Sequence, residues 1–304
     1  MKIKTGNSYD VIIVGASYSG LAAAMALGRA MRNVLIIDDG KPCNRQTPFS
    51  HNFLTNDGRS PAGIAALAIA EVSRYKTVYF FTSLAVAGVK TNNGFEIQVS
   101  SGETFSAKKL IFATGIKDML PPIDGFAACW GISVLHCPYC HGYEAVNQKT
   151  GILSNGDAGF DIARLISNWT NDLTLFTNGQ TTLTGEQITK LESRHIKIAD
   201  TPIVRLEQLN GQLQHIVFKD STTAPLQVLY APTPFEQHST IPQSLGCALT
   251  DDGYIAVDTF QETSAAGIYA SGDNASRIRT VANAVATGTT AGIAASKKII
   301  METF

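Results

Sequence analysis

Two cysteines three positions apart, each flanked by a histidine, stand in the stretch Leu135-His-Cys-Pro-Tyr-Cys-His-Gly-Tyr-Glu144. Three kinds of chemistry use such a pair: half of a metal site, a structural disulfide, or a disulfide made and broken during turnover. A structural zinc site takes four ligands, and Cys137 with Cys140 supplies two. No second Cys-x-x-Cys or His-x-x-x-His exists, and Cys43, Cys129 and Cys247 lack ligand spacing with one another, so no metal is expected. A purely structural disulfide closing so small a loop constrains the unfolded chain little. A redox pair accounts better for the spacing, because sulfurs this close close a ring without large strain and a thiolate near a helix N-terminus is stabilised. The other three cysteines read as packed thiols.

The setting follows from composition. A chain of 304 residues has room for two domains, each with its own core. Lys+Arg of 24 against Asp+Glu of 25 leaves a net charge of -1, which favours neither nucleic acid nor an anionic membrane as partner. Five cysteines are an odd, sparse set, which fits a reducing compartment and a cytoplasmic location. Residues 1–6 run into a strand pattern with no apolar leader, so no signal peptide is expected. Val11 to Ala30 has about the length of a membrane span, but its glycines and the polar Ser17, Tyr18, Ser19 and Arg29 read as a buried strand-turn-helix.

The elements that must carry the cysteines come in two copies of one plan. Tyr9 to Ala16 is apolar without alternation, as in a strand buried on both faces; Tyr18 to Met31 is helical in composition, and Asn33 to Asp38 is a second buried strand. Asn92-Asn93-Gly94 and Ser101-Gly102 punctuate a three-stranded meander, and a last strand, Leu110 to Ala113, leads into Thr114-Gly115. The plan recurs with a strand at Gly151 to Ser154, a helix at Asp157 to Trp169 presenting Ile162, Leu165, Ile166 and Trp169 on one face, a strand at Leu173 to Phe176, a second meander, and Val228 to Ala231. Such a repeat implies two nucleotide sites. Pro121-Pro122 and Pro242-Gln-Ser244 stand where linkers would cross, so the second copy reads as inserted in the first.

In the first copy, Gly15-Ala-Ser-Tyr-Ser-Gly20 follows a strand and opens a helix, so its amides can hold a pyrophosphate; Ser17 stands where the middle glycine of the usual triplet would be. Asp38, at the end of the next strand, is placed to accept hydrogen bonds from ribose hydroxyls. The bland alternative is a tight turn serving helix-strand packing alone. Near the C-terminus an apolar strand ends in Gly272-Asp273, and Arg279-Thr280-Val281 opens a long apolar helix that also suits a core role.

Taken in order, the Gly15–Gly20 loop, Ala113-Thr-Gly115, the Cys-x-x-Cys and Gly272-Asp273 make nearly the whole chain resemble the low-molecular-weight thioredoxin reductases. The resemblance implies an α/β fold of two Rossmann-like, three-layer ββα nucleotide-binding domains. Residues 1–118 and 248–304 would form a discontinuous FAD-binding domain, and 119–247 an NAD(P)-binding-like domain carrying the cysteines. FAD would lie against Gly15, Ser17, Tyr18, Ser19, Gly20, Asp38 and Gly115, with Asp273 reaching its sugar-alcohol chain and Gly272, Arg279, Thr280 and Val281 near its ring. Electrons would pass between NADPH or NADH, FAD and the Cys137/Cys140 pair, to a thioredoxin-like protein or a small dithiol/disulfide, in a homodimer. Cys140 would face the flavin and Cys137 would exchange with substrate. His141 stands where many relatives have the acid that protonates the leaving thiolate, with Glu144 as a second candidate. Asn52-Phe-Leu-Thr-Asn-Asp-Gly-Arg-Ser-Pro61 and Cys140-His-Gly-Tyr-Glu144 are most similar to the branch of gliotoxin- and holomycin-type dithiol oxidases.

The second copy departs from that pattern. Its loop, Ser154-Asn-Gly-Asp-Ala-Gly159, lacks the first glycine, and Phe176-Thr-Asn-Gly-Gln-Thr-Thr182 holds neither the arginines that grip a 2′-phosphate nor the acid that prefers NADH. Three readings stay open: nicotinamide binding through other residues such as Lys190, Arg194 and Arg205; a different electron donor; or an oxidase in which dithiol reduces the flavin and oxygen reoxidises it. A non-catalytic flavin-binding sensor leaves the cysteine pair without a role.

Overall fold

The computed structural model describes residues 8–304, so the expectation for residues 1–6 lies outside the described residues. The chain divides into two compact units, residues up to 45 with 52–117 and 235–304, and residues 46–51 with 118–234.

In the first unit β1 (Ser8–Val14), α1 (Tyr18–Arg29) and β2 (Val34–Asp38) form the expected βαβ unit, and α2 (Pro61–Val72) leads to a further parallel strand, β3 (Val78–Thr82). The meander β4 (Ala85–Thr91), β5 (Gly94–Val99) and β6 (Thr104–Phe112) completes a sheet of order β3-β2-β1-β6-β5-β4, with β17 (Ile268–Ala270) also paired to β6. The unalternating apolar run of β1 has a direct cause. Val11 and Ile13 pack on one face with Leu21, Leu27 and Ala291, while Ile12 and Val14 pack on the other with Ile97 and Phe105. Each such fully buried side chain contributes about 1.5–3 kcal/mol of transfer free energy. Where two strands were expected at Glu103–Ala107 and Leu110–Ala113, the chain makes one, β6. Its first half pairs antiparallel with β5 (Ile97↔Phe105) and its second half parallel with β1 (Ile12↔Leu110). One strand thereby belongs to both layers.

Two short strands, β7 (Ile116–Asp118) and β16 (Phe235–Gln237), pair where the chain passes between the units. Residues 235–247 belong to the first unit, with Ile241 of α7 (Ile241–Ser244) in its core.

The second unit begins with α3 (Phe126–Cys129), β8 (Val134–Leu135) and the single-turn α4 (Pro138–His141). Then β9 (Thr150–Leu153), α5 (Gly156–Ile166), β10 (Leu173–Phe176), α6 (Gly185–Glu192) and β11 (Lys197–Ala199) build a parallel sheet of order β11-β10-β9-β15-β8. A separate sheet holds β12 (Ile203–Leu209), β13 (Gln212–Phe218) and β14 (Thr223–Pro225), after which β15 (Val228–Tyr230) returns to the parallel sheet. Here the last two strands stay separate, as Pro225 closes β14 and lacks the N–H that a continuing ladder would use. Helix α5 stops earlier than its apolar pattern suggested. Ser167 caps it, Leu165 is exposed, and Trp169 lies past the end with its ring edge-on to Tyr139, centroids 5.5 Å apart.

Helix α8 (Val281–Thr303) crosses α1 at close range, since a Cβ on Gly288 would fall on the Ser19 carbonyl and one on Gly292 would lie 2.6 Å from the Ala23 carbonyl oxygen. Among the described residues no helix is long and apolar enough to cross a membrane. Gly288→Ala is expected to lower stability by about 3 kcal/mol, because backbone meets the new methyl and neither helix can retreat cheaply. Gly185→Ala at the start of α6 opens onto free space and should change stability by no more than ~0.5 kcal/mol. Urea denaturation of both variants checks the contrast; equal effects would refute the packing account.

Candidate active site

The parallel strands of the first unit bring four loops to one edge. Gly15, at φ +108°, turns the chain out of β1 so closely against the Ala113 backbone that no Cβ fits there. Asp38 anchors the turn, its Oδ2 accepting from the Ala16 amide at 2.6 Å and its Oδ1 from the Gly40 amide at 2.7 Å. Each oxygen keeps a second lone pair for a ligand hydroxyl. Ser17 is the N-cap of α1, yet its side chain makes no capping hydrogen bond, which leaves that helix start suited to a phosphate. Ser19 bonds Ser271 at 2.7 Å, and the Tyr18 hydroxyl, its pKa raised by burial, meets the Asn44 amide at 3.2 Å. Gly115, at φ +64°, has open space where a side chain would project.

Gly272-Asp273 follows β17 on the same edge, with the Gly272 amide donating to Thr287 at 3.1 Å. Asp273 pairs with Arg279 at 3.8 Å, and Thr280 caps α8 ahead of Val281 by accepting from the Asn283 amide. Asn274, which the sequence did not single out, is fully buried and donates to the Phe112 carbonyl at 2.9 Å and to Thr114 at 3.2 Å, tying this loop to Ala113-Thr-Gly115. An uncapped helix start, a fixed acid and a close-packed glycine turn fit a dinucleotide flavin such as FAD.

The matching loop of the second unit is built differently. Asn155 caps α5 with its own carboxamide, whose Oδ1 accepts from the Gly156 amide at 2.8 Å and the Thr182 amide at 2.9 Å. Its Nδ2 donates to the Gln180 carbonyl at 3.0 Å, so the loop is latched to residues 177–182. Asp157 adds a negative charge to the first turn and is held by Gln187 at 2.7 Å. Unlike α1, this helix start is already satisfied. Of the basic candidates, Arg205 is engaged by Glu207 at 2.8 Å.

The cysteine pair lies in the second unit on α4. Cys137 is the N-cap, extended at φ -125°, and Cys140 follows one turn later, both half-buried. Pro138 stands at the first helical position, where its missing N–H costs nothing. A Cβ on Gly142 would meet the Pro138 carbonyl and Trp169 Nε1, so glycine is needed next. His141 is half-buried, and burial, then the neighbouring His51, push its pKa below the ordinary imidazole value, opposed by Glu144. The His51 and His141 rings meet edge-on with centroids 6.2 Å apart, and His51 Nδ1 lies 3.5 Å from a Glu144 carboxylate oxygen. These groups line a cleft of about 210 Å³ that also exposes Phe49, Gln148 and Gln227. His51 was not foreseen. It comes from residues 46–51, far away in sequence, and only its position just before Asn52 hinted at it. Among the described residues, no cluster of three or more His, Cys, Asp or Glu is placed to hold a metal.

Residues 9–288 match the family model for pyridine nucleotide-disulphide oxidoreductases. Thioredoxin reductase tcpT of Claviceps purpurea is 29% identical, covering 99% of this chain and 97% of the relative. Thioredoxin reductase sirT of Leptosphaeria maculans is 30% identical over 93% of this chain and 92% of its own. The crystal structure of an oxidoreductase from Agrobacterium tumefaciens superposes with a TM-score of 0.91 at 34% identity, covering 97% of this chain and 99% of the other. The chain belongs to the pyridine nucleotide-disulphide oxidoreductase family, as an FAD-dependent disulfide oxidoreductase of the thioredoxin-reductase type.

Proposed function

We propose that Cys137 and Cys140 are the redox-active pair, exchanging electrons with FAD held by the first unit and passing them to a thioredoxin-like protein or a small-molecule disulfide. The observation that carries this reading is the placement of Cys137 and Cys140 one turn apart on α4, with His141 of the same turn facing His51 and Glu144 in an open cleft. Gly15, Ser17–Gly20, Asp38, Gly115, Gly272, Asp273 and Arg279–Val281 are the FAD-binding residues, supported by the uncapped start of α1 and the Asp38 anchor. NADPH or NADH is the donor that the family supplies.

FAD, when bound, supplies two-electron exchange with the disulfide. In the residues themselves, the Cys137 thiolate attacks one sulfur of the substrate disulfide, breaking that S–S bond and forming a mixed disulfide. His141, held neutral by its burial, takes a thiol proton and returns it to the departing substrate thiolate. Cys140 then attacks the Cys137 sulfur, forms the intramolecular disulfide and releases the second substrate thiol. The exposed Tyr139, between the two cysteines, and Tyr143, three residues past Cys140, leave the segment approachable by a protein or a small molecule.

A second reading, an oxidase in which substrate dithiol reduces the pair and oxygen is the final acceptor, is favoured by one observation. Asn155 and Asp157 satisfy and charge the helix start that a nicotinamide dinucleotide would use. The homodimer is supported by the exposed Ile293, Ile300 and Met301 of α8, and a cytoplasmic location by the sparse cysteines.

Anaerobic titration with NADPH, NADH and then a small dithiol separates the two readings. Bleaching of the oxidised flavin by a nicotinamide supports the reductase; bleaching by dithiol alone, with peroxide formed on admitting air, supports the oxidase. Cys137→Ser and Cys140→Ser should each abolish disulfide turnover while flavin stays bound; retained turnover would sink the assignment. His141→Gln should lower kcat by roughly a hundredfold. In the parent protein the acid limb of kcat/KM should lie below the ordinary imidazole pKa, since the depressed value keeps the base form as pH falls, and in the variant that limb should disappear.

A further inference from the structure

Residues 46–51 pack with the second unit although the chain on either side of them belongs to the first. Gln46 fastens this strap, its Nε2 donating to the Trp130 carbonyl at 2.6 Å. Thr47 lies so close over Gly131 that a Cβ there would stand 2.8 Å from the threonine hydroxyl. Pro48, Phe49 and His51 then enter the wall of the cleft that His141 lines.

Three groups of that wall can carry charge: His51, His141 and Glu144. Glu144 follows His141 by three residues and acts on it in the direction of the charged imidazole. The ion-pair contact of this carboxylate is nevertheless with the strap, at 3.5 Å from His51 Nδ1, and among the described residues none joins it to His141. The two imidazole rings meet edge-on with centroids 6.2 Å apart. Of the paired side chains, His51 keeps 17% of its surface exposed and Glu144 45%, so the pair reaches the open side of the cleft.

We propose that His51 is a positioning residue for disulfide exchange: by holding the Glu144 carboxylate it leaves the His141 imidazole uncharged and able to take the thiol proton. The role rests on the reading of His141 as the proton acceptor. The proton leaves a cysteine thiol for the His141 ring and passes from there to the departing substrate thiolate, with no net change at the histidine. His51 acts twice in one sense. It draws the carboxylate towards itself, and any charge it carries disfavours a second charge one ring away. An apolar residue at position 51 would leave Glu144 to face His141 alone.

The test is His51→Phe in the full-length, flavin-loaded protein, a change that keeps a ring against His141 but removes the nitrogen that meets Glu144. His51→Leu takes its place if that variant does not fold. The histidine rings are isotope-labelled and followed by NMR against pH, and His141 is identified among the six histidines by the signal lost in His141→Gln. The His141 titration midpoint should rise by about one pH unit, a roughly tenfold gain in its charged fraction on the alkaline side. Adding Glu144→Gln should cancel the rise, because the released carboxylate is its source. The acid limb of kcat/KM should move up with the midpoint, since more of the base is charged at a given pH. An unchanged midpoint in the His51 variant would overturn the role of His51, and so would a rise that persists with Glu144→Gln. A midpoint that moves while the acid limb stays in place would instead overturn the reading of His141 as proton acceptor, and the part of His51 in turnover with it.

Discussion

Strands that are apolar on both faces must be covered on both sides, and that requirement leaves only their carboxyl ends for chemistry. In the first unit β1 is sealed by α1 and α8 on one face and by the β5–β6 layer on the other. The turns after β1, β2, β6 and β17 are what remains, and they carry Gly15, Asp38, Gly115 and Asp273. The close crossing of α8 over Ser19 and the buried Asn274 then hold these turns together.

The second unit uses the same frame for a different purpose. Its loop is latched by Asn155, and the working groups sit instead beyond β8, on one turn of helix held between Trp169 and the cleft. Burial pushes the His141 imidazole below its ordinary pKa, which favours the uncharged form.

Most of the frame was legible in the residues. The apolar runs of β1, β2 and β10 are unbroken because both faces are buried, and such runs are read with few rivals. The fusion of two expected strands into β6 was not legible, since a strand that changes partners midway keeps one uninterrupted pattern. Helix α5 was read too long because Trp169 keeps helical spacing although the helix ends at Ile166; its ring packs on Tyr139 from a loop. His51 escaped notice because it meets Glu144 across a long stretch of chain, and Asn155 looked like an ordinary loop residue.

On the proposed reading, the Cys137/Cys140 pair stores electrons delivered through the flavin. Anaerobic reductive titration of the parent protein beside the Cys137→Ser, Cys140→Ser double variant tests it most directly. The parent should take up one electron pair for the flavin and a second for the cysteines, and the variant only the first. Equal uptake by the two proteins would contradict it.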